Sequence, residues 1–215
     1  MASYEELREV IQEGNSAETQ TQVRALLDEG KSPNEIIQKG IVEAMDIVGK
    51  KFSEGECFIP EMLVAARASK KGLEIVKPLL VKAGIEPKGK IILGTVKGDL
   101  HDIGKNIVAM MLEGAGFEVI DLGCDVAPGK FIDTLKAEKA RILALSCLLT
   151  TTMVSMKDTM DAVKEAGLIG KIKVMIGGPP TTEEFARKIG ADFRGKDACE
   201  AVEQARRCID EGETS

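Results

Sequence analysis

Tryptophan is absent from these 215 residues, tyrosine occurs once, and aromatic side chains make up only 3%. A core of this composition has to be built from Ile, Leu, Val, Ala and Met. No apolar run approaches the roughly 20 residues that a membrane-spanning helix needs, so no membrane partner is expected. The balance of 29 Lys and Arg against 35 Asp and Glu gives a formal net charge of −6. No basic stripe interrupts that excess, which argues against nucleic acid as a partner. The first residues, MASYEELREV, are charged and amphipathic and lack the apolar segment of a signal peptide. The expected location is the cytoplasm. The five cysteines (Cys57, Cys124, Cys147, Cys199 and Cys208) are odd in number and scattered, with no C-x-x-C pair. That excludes a disulfide framework, a zinc ribbon or an iron–sulfur site, and leaves small core or near-surface thiols. Histidine, like tyrosine, occurs once, as His101.

What is present divides into two patterns. Up to about Ala83 the chain reads as helices only. Ser3-x-x-Glu6 is a capping box, and Ser32-Pro33-Asn34-Glu35 offers a serine N-cap, a proline at the first position and a glutamate at the third. Beyond it Ile37, Ile41, Ala44, Met45, Val48 and Phe52 share one helical face. Pro60 opens a further helix with Leu63, Ala66, Leu73, Val76 and Leu80 as its buried stripe, and Gly30 and Gly84 fit C-terminal caps. Four helices with short connections make a bundle. Ile85-Glu86-Pro87-Lys88-Gly89 reads as a linker. After it, apolar strands alternate with helices. Strands are expected at 90–96, 117–121, 142–146 and 172–176, with a short fifth near Asp192-Phe193. Short, continuously apolar strands between helices imply a parallel sheet covered on both faces. The expected fold is therefore α/β, an N-terminal four-helix bundle over 1–85 followed over 90–215 by a flavodoxin-like (Rossmann-like) five-stranded parallel sheet with flanking helices.

His101 sits between the first strand and its helix, where open α/β sheets place ligands. The loop reads Val96-Lys97-Gly98-Asp99-Leu100-His101-Asp102-Ile103-Gly104-Lys105-Asn106. Asp99 stands where it could hold one ring nitrogen while the other reaches a metal. One histidine cannot build an all-protein metal site, which needs roughly three or four ligands, so a metal there would bring its other ligands in a tetrapyrrole-like ring. A surface histidine, or one touching a helix N-terminus, is the plainer reading of the loop alone. Two more loops follow strands: Leu145-Ser146-Cys147-Leu148-Leu149-Thr150-Thr151-Thr152, and Ile176-Gly177-Gly178-Pro179-Pro180. Small hydroxyl residues and paired glycines at strand ends let a ligand approach the backbone closely. Alternatively they are a helix-capping turn and an ordinary glycine turn. Taken together, the three loops favour an elongated groove at the sheet edge.

The three loops resemble those of cobalamin-binding corrinoid proteins, as in cobalamin-dependent methionine synthase and the small corrinoid subunits of methylotrophic methyltransferase systems. The shared pattern is Asp99-Leu100-His101-Asp102-Ile103-Gly104, Ser146-Cys147-Leu148 and Gly177-Gly178, extended through Gly98 and Lys105-Asn106-Ile107. The segment Phe52-Ser53-Glu54-Gly55-Glu56-Cys57-Phe58-Ile59-Pro60 looks like the bundle motif of corrinoid proteins that carry methyl groups. The resemblance implies cobalamin with its own base displaced from cobalt, His101 as the metal ligand and Asp99 bonded to its far nitrogen. Thr152 stands where methionine synthase has a serine. Gly104, Ser146, Leu148, Thr150, Gly177, Gly178 and Ala198 would line the nucleotide-tail pocket, with Ser146 and Gly178 leaving it room. Glu54 and Met62 would lie over the upper corrin face. The implied activity is methyl carriage between a donor-specific methyltransferase and an acceptor methyltransferase, tetrahydrofolate-type among the candidates, with a reductive activase as a third partner. This chain itself would not be the catalyst: its length leaves no room for a methyl-donor barrel or a folate domain. A hinge near Ile85–Gly89 would let the bundle move aside. A cobalamin-binding sensor, or the small subunit of a cobalamin-dependent isomerase, are the alternatives.

Overall fold

The computed structural model describes residues 2–82 and 89–213. The expected linker lies outside the described residues except for Gly89, and so does the Gly84 cap. By compactness the described chain forms two units, one holding residues 2–82 and 110–117, the other residues 89–109 and 118–213.

The first unit is helical: α1 (Tyr4–Gln12), α2 (Ser16–Asp28), α3 (Pro33–Glu35), a π-helical stretch Ile36–Val42, α4 (Glu43–Ser53) and α5 (Ile59–Lys82). The capping box at α1 forms in full, with the Glu6 N–H donating to Ser3 Oγ at 3.1 Å and the Ser3 N–H to Glu6 Oε2 at 3.0 Å. Ser32 caps α3 as the sequence requires, accepting from the Glu35 N–H at 3.2 Å with Pro33 at the first position. Gly30 closes α2 at φ +81°, where the Lys31 N–H reaches back to the Leu26 carbonyl at 3.0 Å.

The π stretch is not legible in the helical spacing. Widening the turn brings Ile36, Ile37, Gly40, Ile41 and Val42 all to the buried side. Gly40 makes this possible, because a Cβ there would meet Leu7 Cδ2 of α1 at 2.5 Å. On α5 the buried stripe runs one residue earlier than expected at its start: Met62 is 1% exposed and Leu63 is only half-buried. The segment Met110–Phe117 belongs to this unit as well, with the Ser69 hydroxyl donating to the Gly114 carbonyl at 2.8 Å and Lys70 paired to Glu113 at 2.6 Å.

The second unit is the expected parallel sheet: β1 (Lys90–Thr95), β2 (Glu118–Asp121), β3 (Ile142–Ser146), β4 (Lys173–Gly177) and β5 (Phe193–Gly195), in spatial order β2-β1-β3-β4-β5. Between them run α6 (Ile103–Gly114), α7 (Pro128–Glu138), α8 (Met153–Glu165) and α9 (Glu183–Ile189), with α10 (Ala198–Glu213) last. The strands carry apolar side chains on both faces, and on one of them Ile92, Leu143, Leu145, Val174 and Ile176 join Phe131, Leu135, Met156 and Val163 in one core. Gly94 lies under the Phe131 ring, where a Cβ would come within 2.7 Å of Cε1. Strand order reverses direction at β1 and β3, whose carboxyl ends therefore open a crevice between diverging connections. His101 follows β1 there. Among the described residues no helix is long and apolar enough to cross a membrane.

Candidate functional site

The site is assembled around one carboxylate. β1 runs into a tight turn in which the Asp99 N–H donates back to the Val96 carbonyl at 3.1 Å and Gly98 adopts φ +83°, the left-handed region glycine enters freely. This turn drives the Asp99 side chain inward until it is fully buried. There Oδ1 accepts from the His101 N–H at 3.0 Å and lies 2.7 Å from His101 Nδ1. Oδ2 accepts from the Leu148 N–H at 2.8 Å, the Leu149 N–H at 3.3 Å and the Thr152 hydroxyl at 2.7 Å. One carboxylate thus holds the loop after β1 to the loop after β3.

Burial alone would push the Asp99 carboxyl up, but the bonds from Leu148, from the His101 backbone, from Thr152 and from the imidazole outweigh it and hold it well below the usual carboxylate range. An ionised Asp99 accepts only, so Nδ1 must carry the proton and the lone pair falls on Nε2. The imidazole is half-exposed while its partner is sealed. The Thr95 hydroxyl donates to the His101 carbonyl at 2.9 Å and fixes the backbone beneath the ring. The donor presented outward is one imidazole nitrogen; among the described residues no group of three or more His, Cys, Asp or Glu could hold a metal by itself.

The surroundings of the ring are apolar and open. Leu100 and Ile103, on either side of His101 in the chain, are 75% and 78% exposed, and Leu148 and Leu149 also show their side chains to solvent. Asp102 is exposed and caps α6, its carbonyl accepting from the Asn106 N–H at 2.7 Å and its carboxylate from the Asn106 amide at 3.1 Å. Gly104, second residue of α6, has open space where a Cβ would be.

The third loop joins the second. Ser146, half-buried at the end of β3, is in register with Gly177 of β4, and the Cys147 N–H donates to the Gly177 carbonyl at 3.2 Å. Gly178 has φ +120°, and a Cβ on it would sit 1.8 Å from the Cys147 carbonyl oxygen. Glycine is demanded there by the protein's own backbone, whereas a Cβ on Gly177 would make only an ordinary contact, at 3.5 Å with the Gly195 carbonyl. Thr150 is exposed in the 3-10 turn Thr150–Thr152 that brings Thr152 round to Asp99. Ala198 is buried in the first turn of α10, which Asp197 caps by accepting from the Glu200 N–H at 2.8 Å. Glu54 and Met62 belong to the helical unit. Glu54 is exposed at the end of α4, while Met62 is enclosed.

Three groups near this edge are given no role by the sequence alone. Lys105 is almost completely buried and pairs with Asp121 at the end of β2, also donating to the Asn106 amide oxygen at 2.7 Å. Its place beside the Gly104 position is visible in the sequence; its partner is not. Asp125 bonds to the turn that carries Asp99. The Cys147 thiol is pushed up to about 11 by burial and the Asp99 charge, with a hydrogen bond involving Thr152 acting the other way.

Comparison with known proteins bears on this arrangement. Residues 89–203 match a family described as a B12 binding domain, and residues 3–77 match a second family of the same description. The chain is 42% identical over 215 residues to trimethylamine corrinoid protein 2 of Methanosarcina acetivorans, covering 97% of this chain and 99% of that one. A crystal structure of a cobalamin-binding protein from Desulfitobacterium hafniense superposes with a TM-score of 0.80 at 33% identity, covering 97% of this chain and 99% of that one. The methanol:cobalamin methyltransferase complex of Methanosarcina barkeri contains a chain matched with a TM-score of 0.86 at 30% identity, over 96% of this chain and 79% of that one.

Proposed function

The chain belongs to the cobalamin-binding corrinoid proteins of methyltransferase systems, and on that premise we propose that it works as a methyl carrier. Cobalamin would bind base-off, and His101 would hold its cobalt in place of the cofactor's own base. Bound cobalamin supplies a cobalt centre able to take up and give up a methyl group. The residues present fit such a group: a half-exposed imidazole whose Nδ1 is taken by Asp99, with an apolar rim of Leu100, Ile103, Leu148 and Leu149 around it.

Asp99 keeps the proton on Nδ1 and adds electron density to the ring through a charge-assisted bond. Thr152 and the Leu148 N–H keep Asp99 ionised and in place. Gly98 and Leu100 shape the turn that presents the imidazole, and Asp102, Ile103 and Gly104 form the helix end beside it, where the missing Cβ of Gly104 leaves room for a ligand. Ser146, Leu148, Thr150, Gly177, Gly178 and Ala198 are proposed to receive the nucleotide tail. From the helical unit Glu54 is the solvent-facing candidate for the upper face; Met62 reaches a ligand only if the packing around it opens. The partners are a donor-specific methyltransferase, an acceptor methyltransferase of tetrahydrofolate type and a reductive activase. The five thiols, none of them in a disulfide, suit the reducing cytoplasm.

The observation that carries this reading is the sealed Asp99 carboxylate on Nδ1 of the only imidazole in the chain. Its test is the paramagnetic cobalt(II) spectrum of the purified protein loaded with cobalamin. Histidine nitrogen superhyperfine splitting is expected, and it should vanish in His101→Gly; splitting that survives the substitution removes His101 as ligand. The reduced holo-protein should then be methylated only with a cognate methyltransferase and its donor, and demethylated by a second one. If no methyltransferase acts on it while an adenosyl ligand binds stably and photolysis changes its oligomeric state, it is a sensor instead.

A further inference from the structure

Asp125 lies in the connection between β2 and α7 with φ +54°, a left-handed conformation that non-glycine residues rarely adopt. Two bonds run from it to the turn that delivers Asp99. Its Oδ1 accepts from the Gly98 N–H at 2.7 Å, and its own N–H donates to the Asp99 carbonyl at 3.0 Å. These are the backbone groups on either side of the unit that aims the Asp99 side chain. The rest of the connection is zipped to β1 in the same way, with the Leu122 N–H on the Leu93 carbonyl at 2.8 Å, the Thr95 N–H on the Gly123 carbonyl at 2.9 Å and the Val126 N–H on the Thr95 carbonyl at 3.0 Å. Val96 makes the last backbone bond to a neighbouring strand, its N–H donating to the Ser146 carbonyl at 3.0 Å, and the Asp99 N–H turns back to the Val96 carbonyl at 3.1 Å. Gly98 has no side chain with which to fix the turn, and Asp125 bonds both the Gly98 N–H and the Asp99 carbonyl.

We propose that Asp125 is a positioning residue for the Asp99–His101 pair, clamping the Gly98–Asp99 backbone so that the Asp99 carboxylate meets Nδ1 and leaves Nε2 for the metal. The last clause rests on the carrier reading above; the clamp itself does not. Hydrogen bonds weaken steeply with misalignment, so a turn released on one side loses the Nδ1 bond before it loses its fold. A left-handed aspartate persists where the bonds it makes outweigh the strain, and here both bonds go to the same two residues.

The test uses Asp125→Gly, which keeps the left-handed conformation and deletes the acceptor, and Asp125→Asn, which keeps an acceptor oxygen on a residue that tolerates that conformation. Because the chain has one histidine, apo-protein labelled with 15N-histidine gives a single imidazole spin system, whose tautomer is read directly in mildly alkaline buffer. Wild type and Asp125→Asn should hold the Nδ1–H tautomer. Asp125→Gly should move the ratio roughly tenfold towards Nε2–H, the scale of one charge-assisted bond. With cobalamin bound, the histidine nitrogen splitting should weaken in Asp125→Gly alone. A Gly variant identical to wild type, or an Asn variant that behaves like Gly, overturns the proposal. If wild type shows the Nδ1–H tautomer but no nitrogen splitting with cobalamin, the carrier reading fails, and the tautomer of the apo variants still decides the role of Asp125.

Discussion

Asp99 shows how much of a site one buried charge can organise. Its carboxylate has no contact with solvent, yet every bond it accepts comes from a group that would otherwise need another partner. Asp99→Asn should lower unfolding stability by about 2 kcal/mol, the usual worth of a hydrogen bond to a charged group, measured by urea denaturation. The pH dependence has a definite sign. A carboxyl held below its unfolded value of about 3.9 stabilises the fold above that pH, and the stabilisation is lost as pH falls towards the depressed value. The stability gap between wild type and Asp99→Asn should therefore be flat above about pH 5 and narrow on acidification; a gap independent of pH in the acid range would contradict this. Cys147 makes a second residue-level prediction. With its thiol pushed up to about 11 and its side chain buried, it should alkylate far more slowly in native protein than the half-buried Cys124 and Cys199. Mass spectrometry of timed labelling would show the order.

At the scale of elements, the parts that can be read from the chain are those whose cause is local. The strands announce themselves as short apolar runs, Ser3 and Ser32 announce their helices within three residues, and Asp99 and His101 stand two positions apart in one loop. The parts that cannot be read depend on distant partners. The π stretch packs Gly40 so close to Leu7 that no Cβ fits between them, and neither residue signals the other. The Lys105–Asp121 pair and the Asp125 clamp likewise join residues of different elements. Gly178 is visible as one of a pair, but the Cys147 carbonyl that leaves no space for a Cβ there is not. Gly178→Ala should accordingly cost folding itself, with loss of native circular dichroism or of soluble yield, and not ligand affinity alone. Gly40→Ala should destabilise the helical unit by about 1–3 kcal/mol through overpacking against Leu7, seen as a lower denaturation midpoint of the helical signal.

For the molecule as a whole, matches extend over 97% of this chain and 99% of the trimethylamine corrinoid protein, so the likeness covers both the helical and the sheet-containing parts. With a net charge of −6, the protein should associate with a basic partner surface at rates that fall as ionic strength rises. The carboxylate shared by two loops has one more consequence, and it concerns time. The amide protons of Leu148 and Leu149 are pinned to the same Asp99 oxygen, while the other oxygen holds the imidazole. Solvent deuterium reaches those amides when the carboxylate lets go. Their exchange rates thus form a clock for how often the histidine support comes apart, and a ligand that braces the ring should make that clock run slow in a loop it need not touch.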